Sequence, residues 1–484
     1  MTYNHGVRVQ ENPTSLPAPR VSVSALQVVF GTAPINLVSD PGAAVNKLML
    51  VHDMDEAKEK LGYSDDFTNY TLCQSMDACF RIFKISPVIF CNVLDPVVHK
   101  KSVVDATYPV KDLQAIVNIK GLLLNSLVVK NETVTLMNGE DYLTSFDDDG
   151  YAVITLLSTG QAAAAVSLNV SGDKIDPSMV DSADIIGGLD TETGKETGLE
   201  LVRQVYPRFN LVPRLLLAPG WSHDPLVGAA IAAKTKNING VFSCENILDI
   251  DCTATGATKY TDVATEKETA GYINENSIVL WPQLKIGSKH YAYSAIYAAM
   301  VGDTDADNDD IPNLSPSNKL LKVDGAVLAD GTEVMLDVQQ ANVLNASGIV
   351  TAINAGGWKA WGNNTACYPI NTDPKDRWIA CRRFFTWWSI EFILTYFEKV
   401  DNPANFRLIE AICDAENIRG NSLVSQGRCA GARIEFNAKD NQIGDILNGK
   451  IQFKQYLAPY TPAEDILNVI EFDPTMIMAA LGGE

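Results

Sequence analysis

The chain has 484 residues, with 38 Lys and Arg against 59 Asp and Glu, a formal net charge of −21 and a pI near 4.7. That balance argues against a sequence-independent grip on nucleic acid or anionic lipid, because phosphate binding needs clustered cations, though a local basic face is compatible with it. With 46% hydrophobic and 20% charged residues it also excludes a disordered chain, and at about 150 residues per domain the length points to roughly three packed domains.

Residues 1–20 alternate polar and apolar from Tyr3 to Val9 and then turn proline-rich at Pro13, Pro17 and Pro19, which predicts an extended arm rather than a central strand or helix. Val21 to Phe30 has strand character and ends at Gly31-Thr32-Ala33-Pro34. Between Asn69 and Lys84, Leu72, Met76, Cys79, Phe80 and Phe83 recur at helical spacing. From 101 to 182 the texture changes to short β-branched runs, Ser126–Lys130, Thr133–Leu136, Tyr151–Leu157 and Ala165–Val170. Turn signals at Asn138-Gly139 and Asp149-Gly150 lie among them, so this part reads as a small all-β insertion.

Beyond Gly187-Gly188, strand and helix alternate. Leu211–Ala218 is strand-like, Asp224-Pro225 supplies a cap and a first-turn proline for a helix through Ala233, and Val241–Asp249 and Ile278–Trp281 are further strands. This predicts an α/β layer with a partly parallel sheet. A last unit starts near Trp361. It has a helix from Asp376 to about Val400, a second helix opened by Asn402-Pro403, and strands at Arg433–Phe436, Lys450–Leu457 and Ile466–Phe472.

Catalytic motifs are sparse. Gly188 to Thr197 has five residues between its glycines and Glu196 after Lys195, whereas a phosphate loop needs four and a Ser or Thr there to hold magnesium; it reads as a polar loop. Asp303-Thr304-Asp305-Ala306-Asp307-Asn308-Asp309-Asp310 resembles the start of a calcium loop, but Asn308 stands at the glycine position and no closing Glu follows, so a solvated acidic loop is expected. The five histidines, His5, His52, His99, His223 and His290, show no metal-ligand spacing, and no G-x-S-x-G elbow occurs. Nine cysteines without a C-x-x-C pair read as buried thiols rather than a disulfide framework. The first residues have no charged n-region leading into an apolar run, and no apolar run approaches ~18 residues, so synthesis in the cytoplasm without membrane insertion is expected.

The aromatic residues Trp378, Phe384, Phe385, Trp387, Trp388, Phe392, Tyr396 and Phe397 crowd one helix beside Arg377, Arg382 and Arg383. Aromatic and basic interleaving can mark a nucleic-acid platform, but the acidity of the whole chain favours a buried core helix with a charged edge. The arginines then either pair within the chain or face an acidic partner.

Further motifs come in an ordered series: Ser315-Pro316-Ser317-Asn318, Trp361-Gly362, Asp373-Pro374-Lys375-Asp376-Arg377-Trp378, Arg382-Arg383-Phe384-Phe385, Gly431-Ala432-Arg433-Ile434, Leu457-Ala458-Pro459…Pro462-Ala463-Glu464 and Glu471-Phe472-Asp473-Pro474. Together with Tyr3-Asn4-His5-Gly6-Val7, Val28 to Pro34, Gly139-Glu140-Asp141-Tyr142 and Ile185 to Gly188, this series resembles the tail sheath proteins of contractile phage tails, R-type bacteriocins and related contractile injection systems. It departs from them before Ser315, where Asp310-Ile311-Pro312-Asn313-Leu314 replaces an Ala-Pro-Ala-Asn stretch.

The resemblance implies a non-enzymatic subunit without cofactor or metal. It is expected to polymerise as stacked hexameric rings around an inner tube, with the tube protein, baseplate and tail terminator as partners, and to reside in the virion tail or a released contractile particle. The implied architecture is a multidomain α+β and α/β protein: an amino-terminal arm (1–20), an α/β sheath core (21–100 and 183–360) interrupted by an all-β outer domain (101–182), an inner domain facing the tube (361–462) and a carboxy-terminal strand or arm (463–484). The arms are expected to add strands to neighbouring subunits through Tyr3, His5, Gly6, Val7, Arg8, Val9, Ile466, Val469, Ile470 and Phe472. Arg377, Arg382 and Arg383 are the candidates for a basic tube-facing or core edge. The competing class is a metal-dependent binding protein or enzyme built around Asp303–Asp310.

Overall fold

The computed structural model describes residues 20–482. An eight-stranded sheet organises the main core. Its strands are β1 (Gln27–Gly31), β2 (Leu48–Val51), β3 (Val88–Asn92), β4 (Leu215–Leu217), β5 (Glu245–Asp249), β6 (Ser277–Leu280), β7 (Ile349–Asn354) and β8 (Trp358–Trp361), in the spatial order β8-β7-β6-β5-β4-β1-β3-β2. The inner six run parallel, and β2 and β8 close the edges antiparallel. Strands β1, β3, β5 and β6 are buried along their whole length, as a parallel sheet covered on both faces requires. The strand expected over Val21–Phe30 is therefore only its second half; Ser22 to Leu26 leave the sheet and bond elsewhere.

Helices cover both faces. Leu72–Met76 forms one α-helical segment, and the rest of the predicted helix, Asp77–Phe83, is a π-helix. Helix α1 (Pro225–Lys234) starts where the sequence placed it, with Asp224 accepting from Leu226 N at 2.9 Å. Helix α2 (Tyr293–Ala306) is buried from Tyr293 to Gly302 and packs Tyr293 against Tyr297 at right angles.

Beside this layer lies Lys267, 4% exposed, whose ammonium donates to the carbonyls of Ser347, Ala366 and Tyr368 at 2.6, 2.7 and 3.2 Å. Burial pushes its pKa down to about 8. Lys267→Met orphans three buried carbonyls and is expected to lower stability by about 3 kcal/mol in urea unfolding; a loss below about 1 kcal/mol contradicts that role.

The insertion folds as two antiparallel sheets around its own apolar cluster of Tyr108, Val117, Val129, Tyr142, Ile154, Leu168 and their neighbours. Its longest ladder pairs Lys100–Pro109 with Ser167–Ile175, Lys100 opposite Ile175. All nine cysteines are free thiols, eight of them buried, and burial pushes Cys73, Cys79 and Cys91 up to about 12, which leaves them inert near neutral pH. Among the described residues, no helix is long and apolar enough to cross a membrane.

The last unit differs most from expectation. The helix predicted from Asp376 is split in two by Trp378, which sits in an extended conformation, into α3 (Pro374–Arg377) and α4 (Ile379–Tyr396). Helix α5 (Phe406–Ser425) is capped by Asn405, which accepts from Leu408 N at 3.0 Å, and not by Asn402. An antiparallel pair follows, β9 (Cys429–Phe436) and β10 (Phe453–Pro459). Helix α5 lies so close to β9 that a Cβ on Gly420 would stand 2.5 Å from the Ala432 carbonyl oxygen. Ile466–Phe472 has strand composition but pairs with no other strand among the described residues, and a short helix, α6 (Pro474–Ala480), follows it.

Candidate assembly interface

The motifs scattered through the last third of the sequence meet at one place, the root of the carboxy-terminal arm. The segment after Ser317 runs along the free edge of β8: Asn318 N donates to Ala360 O at 2.7 Å, Ala360 N to Lys319 O at 3.0 Å and Leu321 N to Trp358 O at 2.9 Å. Ser317 Oγ accepts from Gly362 N at 3.0 Å, and Ser315 Oγ donates to Asn363 Oδ1 at 2.5 Å. Gly362 is required here, with φ of +144° and a Cβ that would meet Asn345 Oδ1 at 2.7 Å. Opposite stands Arg377. Its Nε donates to Asn364 Oδ1 at 2.8 Å, and its guanidinium lies over the rings of Trp378 and Tyr368 at 4.1 and 4.3 Å. Its Nη2 donates to Glu464 Oε2 at 3.3 Å, while Asn363 Nδ2 donates to Glu464 Oε1 at 3.4 Å.

The acidic run Asp303–Asp310 is solvated only in part: Asp307 and Asp309 are exposed, whereas Asp305 is buried. Its first residues finish α2, and all five of its aspartates are engaged by protein donors. Asp303 and Asp307 pair with Arg20, and Lys322 also reaches Asp303. Asp310 accepts from the backbone N–H groups of Val23 and Ser24 at 3.0 and 3.1 Å. Asp309 pairs with Arg428, which precedes β9. Asp305, 1% exposed, takes the fork of Arg383 at 3.1 and 2.5 Å and the hydroxyl of Ser24 at 2.7 Å. Burial alone would lower the Arg383 pKa, but the adjacent Asp305 holds it above its ordinary value. Among the described residues no group of three or more His, Cys, Asp or Glu is placed to hold a metal ion.

The three candidate arginines therefore have different places. Arg383 is buried in an internal ion pair and presents nothing to a partner. Arg382 bonds Asp376 at 3.1 Å, and Arg377 holds Glu464. The polar face of α4 continues through Thr386, which donates to buried Glu245 at 2.5 Å, and Glu391, which accepts from buried Arg214 at 2.9 Å. Its apolar face packs Phe384 and Trp388 against Leu423, Cys429 and Ala432.

The two edges of the β9–β10 sheet are unlike. On the β9 side, Asn417 of α5 imitates a strand: its Nδ2 donates to Ile434 O at 3.1 Å and its Oδ1 accepts from Ile434 N at 2.9 Å. On the β10 side no strand follows among the described residues, and a groove of about 520 Å³ opens between β10 and α4, lined by Phe385, Phe392, Ile451, Phe453, Gln455 and Leu457. The Gln455 amide is buried there, and neither its oxygen nor its nitrogen finds a partner among the described residues. Beyond Glu464 the arm exposes Ile466 (84%), Val469 (70%), Ile470 (86%) and Phe472 (79%). Tyr3, His5, Gly6, Val7, Arg8 and Val9 lie outside the described residues.

Gly188–Thr197 closes as a tight loop with Leu189 bridged to Glu196, whose carboxylate pairs with Arg203. Among the described residues, β10 has an unpaired outer edge, and the tail beyond Glu464 is apolar and exposed. No protein-family model matches the chain. It is 25% identical over 503 residues to the tail sheath protein of Burkholderia phage BcepMu, covering 99% of both chains. Its fold matches a chain of the anti-feeding prophage baseplate (TM-score 0.59, 14% identity, 98% of this chain and 100% of that one). It also matches the PVC sheath complex of an extracellular contractile injection system in its contracted state (TM-score 0.56, 14% identity, 98% and 99%). Over 99% of its length the chain is thus similar to a phage tail sheath protein, and it shares the fold of the contractile-system chains named above.

Proposed function

We propose that the chain is the repeating subunit of a contractile tail sheath, stacking as six-fold rings around an inner tube and shortening to drive that tube through a cell envelope without nucleotide hydrolysis. The observation that carries this reading is the carboxy-terminal arm: some twenty mostly exposed residues rich in Ile, Leu, Val, Phe and Met, which a solitary soluble protein would bury. Strand addition supplies the missing burial and hydrogen bonds. Ile466, Val469, Ile470 and Phe472 of one subunit, and Tyr3 to Val9 of another, extend the β9–β10 sheet of a neighbour, and β10 is the edge left open for them.

Main-chain linkage lets subunits turn relative to one another without separating, so a metastable long lattice can relax to a shorter one with more contact between subunits. In this scheme the unit from 361 to 462 faces the tube, the insertion faces outward, and the tube protein, baseplate and terminator are the partners. The protein is made in the cytoplasm and ends in the tail. Concentrated full-length protein is expected to form hollow, helically striated tubes in negative-stain electron microscopy; persistent monomers would refute the proposal. Removing residues 1–12 is expected to leave a monomer that melts like the full chain but forms no long tubes, and full-length tubes from that variant would remove the amino-terminal arm from the scheme.

A further inference from the structure

We infer that Glu464 is a positioning residue, the pivot that fixes the direction in which the carboxy-terminal arm leaves the subunit. The inference rests on the sheath reading and specifies how one of its arms is aimed. Between Pro459, where β10 ends, and Asp473, where the arm's own helix is capped, Glu464 is the residue whose side chain bonds the body of the protein among the described contacts. Both its carboxylate oxygens are used, one by Asn363 and one by Arg377.

The receiving side is built in advance. Arg377 is held by Asn364 and by two aromatic rings, and its own carbonyl accepts from Thr365 N at 2.8 Å. Asn363 is held by Ser315 through its Oδ1, and its carbonyl accepts from Ile379 N at 2.9 Å. The clamp thus stands on the β8 edge and on the break between α3 and α4, two rigid places. Yet the ion pair is open to solvent, with side chains 24% and 37% exposed, and such a pair adds little to folding. So much prior order around a weak bond makes sense as aim. A tail released at Pro459 sweeps a larger volume than one released at Asp465, and its effective concentration at a neighbour's strand edge falls accordingly.

The test compares full-length wild type, Glu464→Ala and the exchanged pair Arg377→Glu with Glu464→Arg, by thermal melting and by tube formation in electron microscopy. Glu464→Ala is expected to melt within about 1 °C of wild type, while the protein concentration needed for tubes rises at least about tenfold; the exchanged pair recovers part of that loss. If Glu464→Ala makes tubes at the wild-type concentration, the pivot is wrong and the sheath reading stands. If it fails but also melts several degrees early, the residue serves folding and the pivot is again wrong. If wild type itself makes no tubes, the sheath reading falls and takes the pivot with it.

Discussion

Replacing Arg383 with Met is expected to destabilise the folded subunit by about 3–5 kcal/mol, the largest effect of any single substitution considered. The reason is what remains behind. Asp305 is 1% exposed, and without the guanidinium fork its carboxylate keeps only the Ser24 hydroxyl at 2.7 Å. A charge left unpaired inside a protein costs far more than the pair contributes, because the desolvation of both ions had been offset by their mutual attraction. The double variant Asp305→Leu with Arg383→Met removes both charges and is expected to recover most of the loss. Urea unfolding of both proteins decides the matter: a single variant within about 1 kcal/mol of wild type, or a double variant no better than the single, contradicts this account. The pair also joins distant parts of the chain, since Ser24 lies at the root of the amino-terminal segment and Arg383 on the helix that carries the β9–β10 sheet.

Ending the chain after Asp465 is expected to abolish tube formation while leaving the melting temperature within about 1 °C. The removed residues include Ile466, Leu467, Val469, Ile470, Phe472, Met476, Met478 and Leu481, each more than half exposed, so the isolated subunit loses almost no packing with them. An assembly that depends on strand addition loses both the main-chain bonds and the apolar side chains that follow them. Sedimentation velocity together with electron microscopy gives the answer, and normal tubes from the truncated chain would overturn strand donation by this arm. The truncated protein should also be the more soluble one, because its exposed apolar surface shrinks.

What was legible in the sequence follows a physical line. Runs buried on both faces, such as Val28-Val29-Phe30 and Asn246 to Leu248, announced the parallel strands, and Asp224-Pro225 announced a helix start through bonds made within four residues. In the insertion, Lys100–Pro109, Gln114–Lys120 and Tyr142–Phe146 were not foreseen. The first is exposed along nearly all its length, so no apolar alternation marked it. The strand read at Ile466–Phe472 has the composition of a strand, but pairing is not local, and no partner strand lies among the described residues.

The motifs at Ser315, Trp361, Asp373 and Pro462 were visible one by one; that they meet around Glu464 was not, because Arg377 and Glu464 are 87 residues apart. Asp303–Asp310 shows the same limit from the other side. Eight consecutive residues looked like an ion-binding or solvated loop, and their partners turned out to be Arg20, Ser24, Arg383 and Arg428, none of them near in sequence.

The ladder that carries the insertion has a consequence for how such a protein can change. Lys100 and Ile175 face each other in register, so the chain leaves the core and returns to it at neighbouring points. Closing that gap with a short turn, or with another unit whose ends also lie close together, makes the same demand on the core strands as the present insertion does. The segment is a socketed attachment, joined to the core through one pair of facing residues.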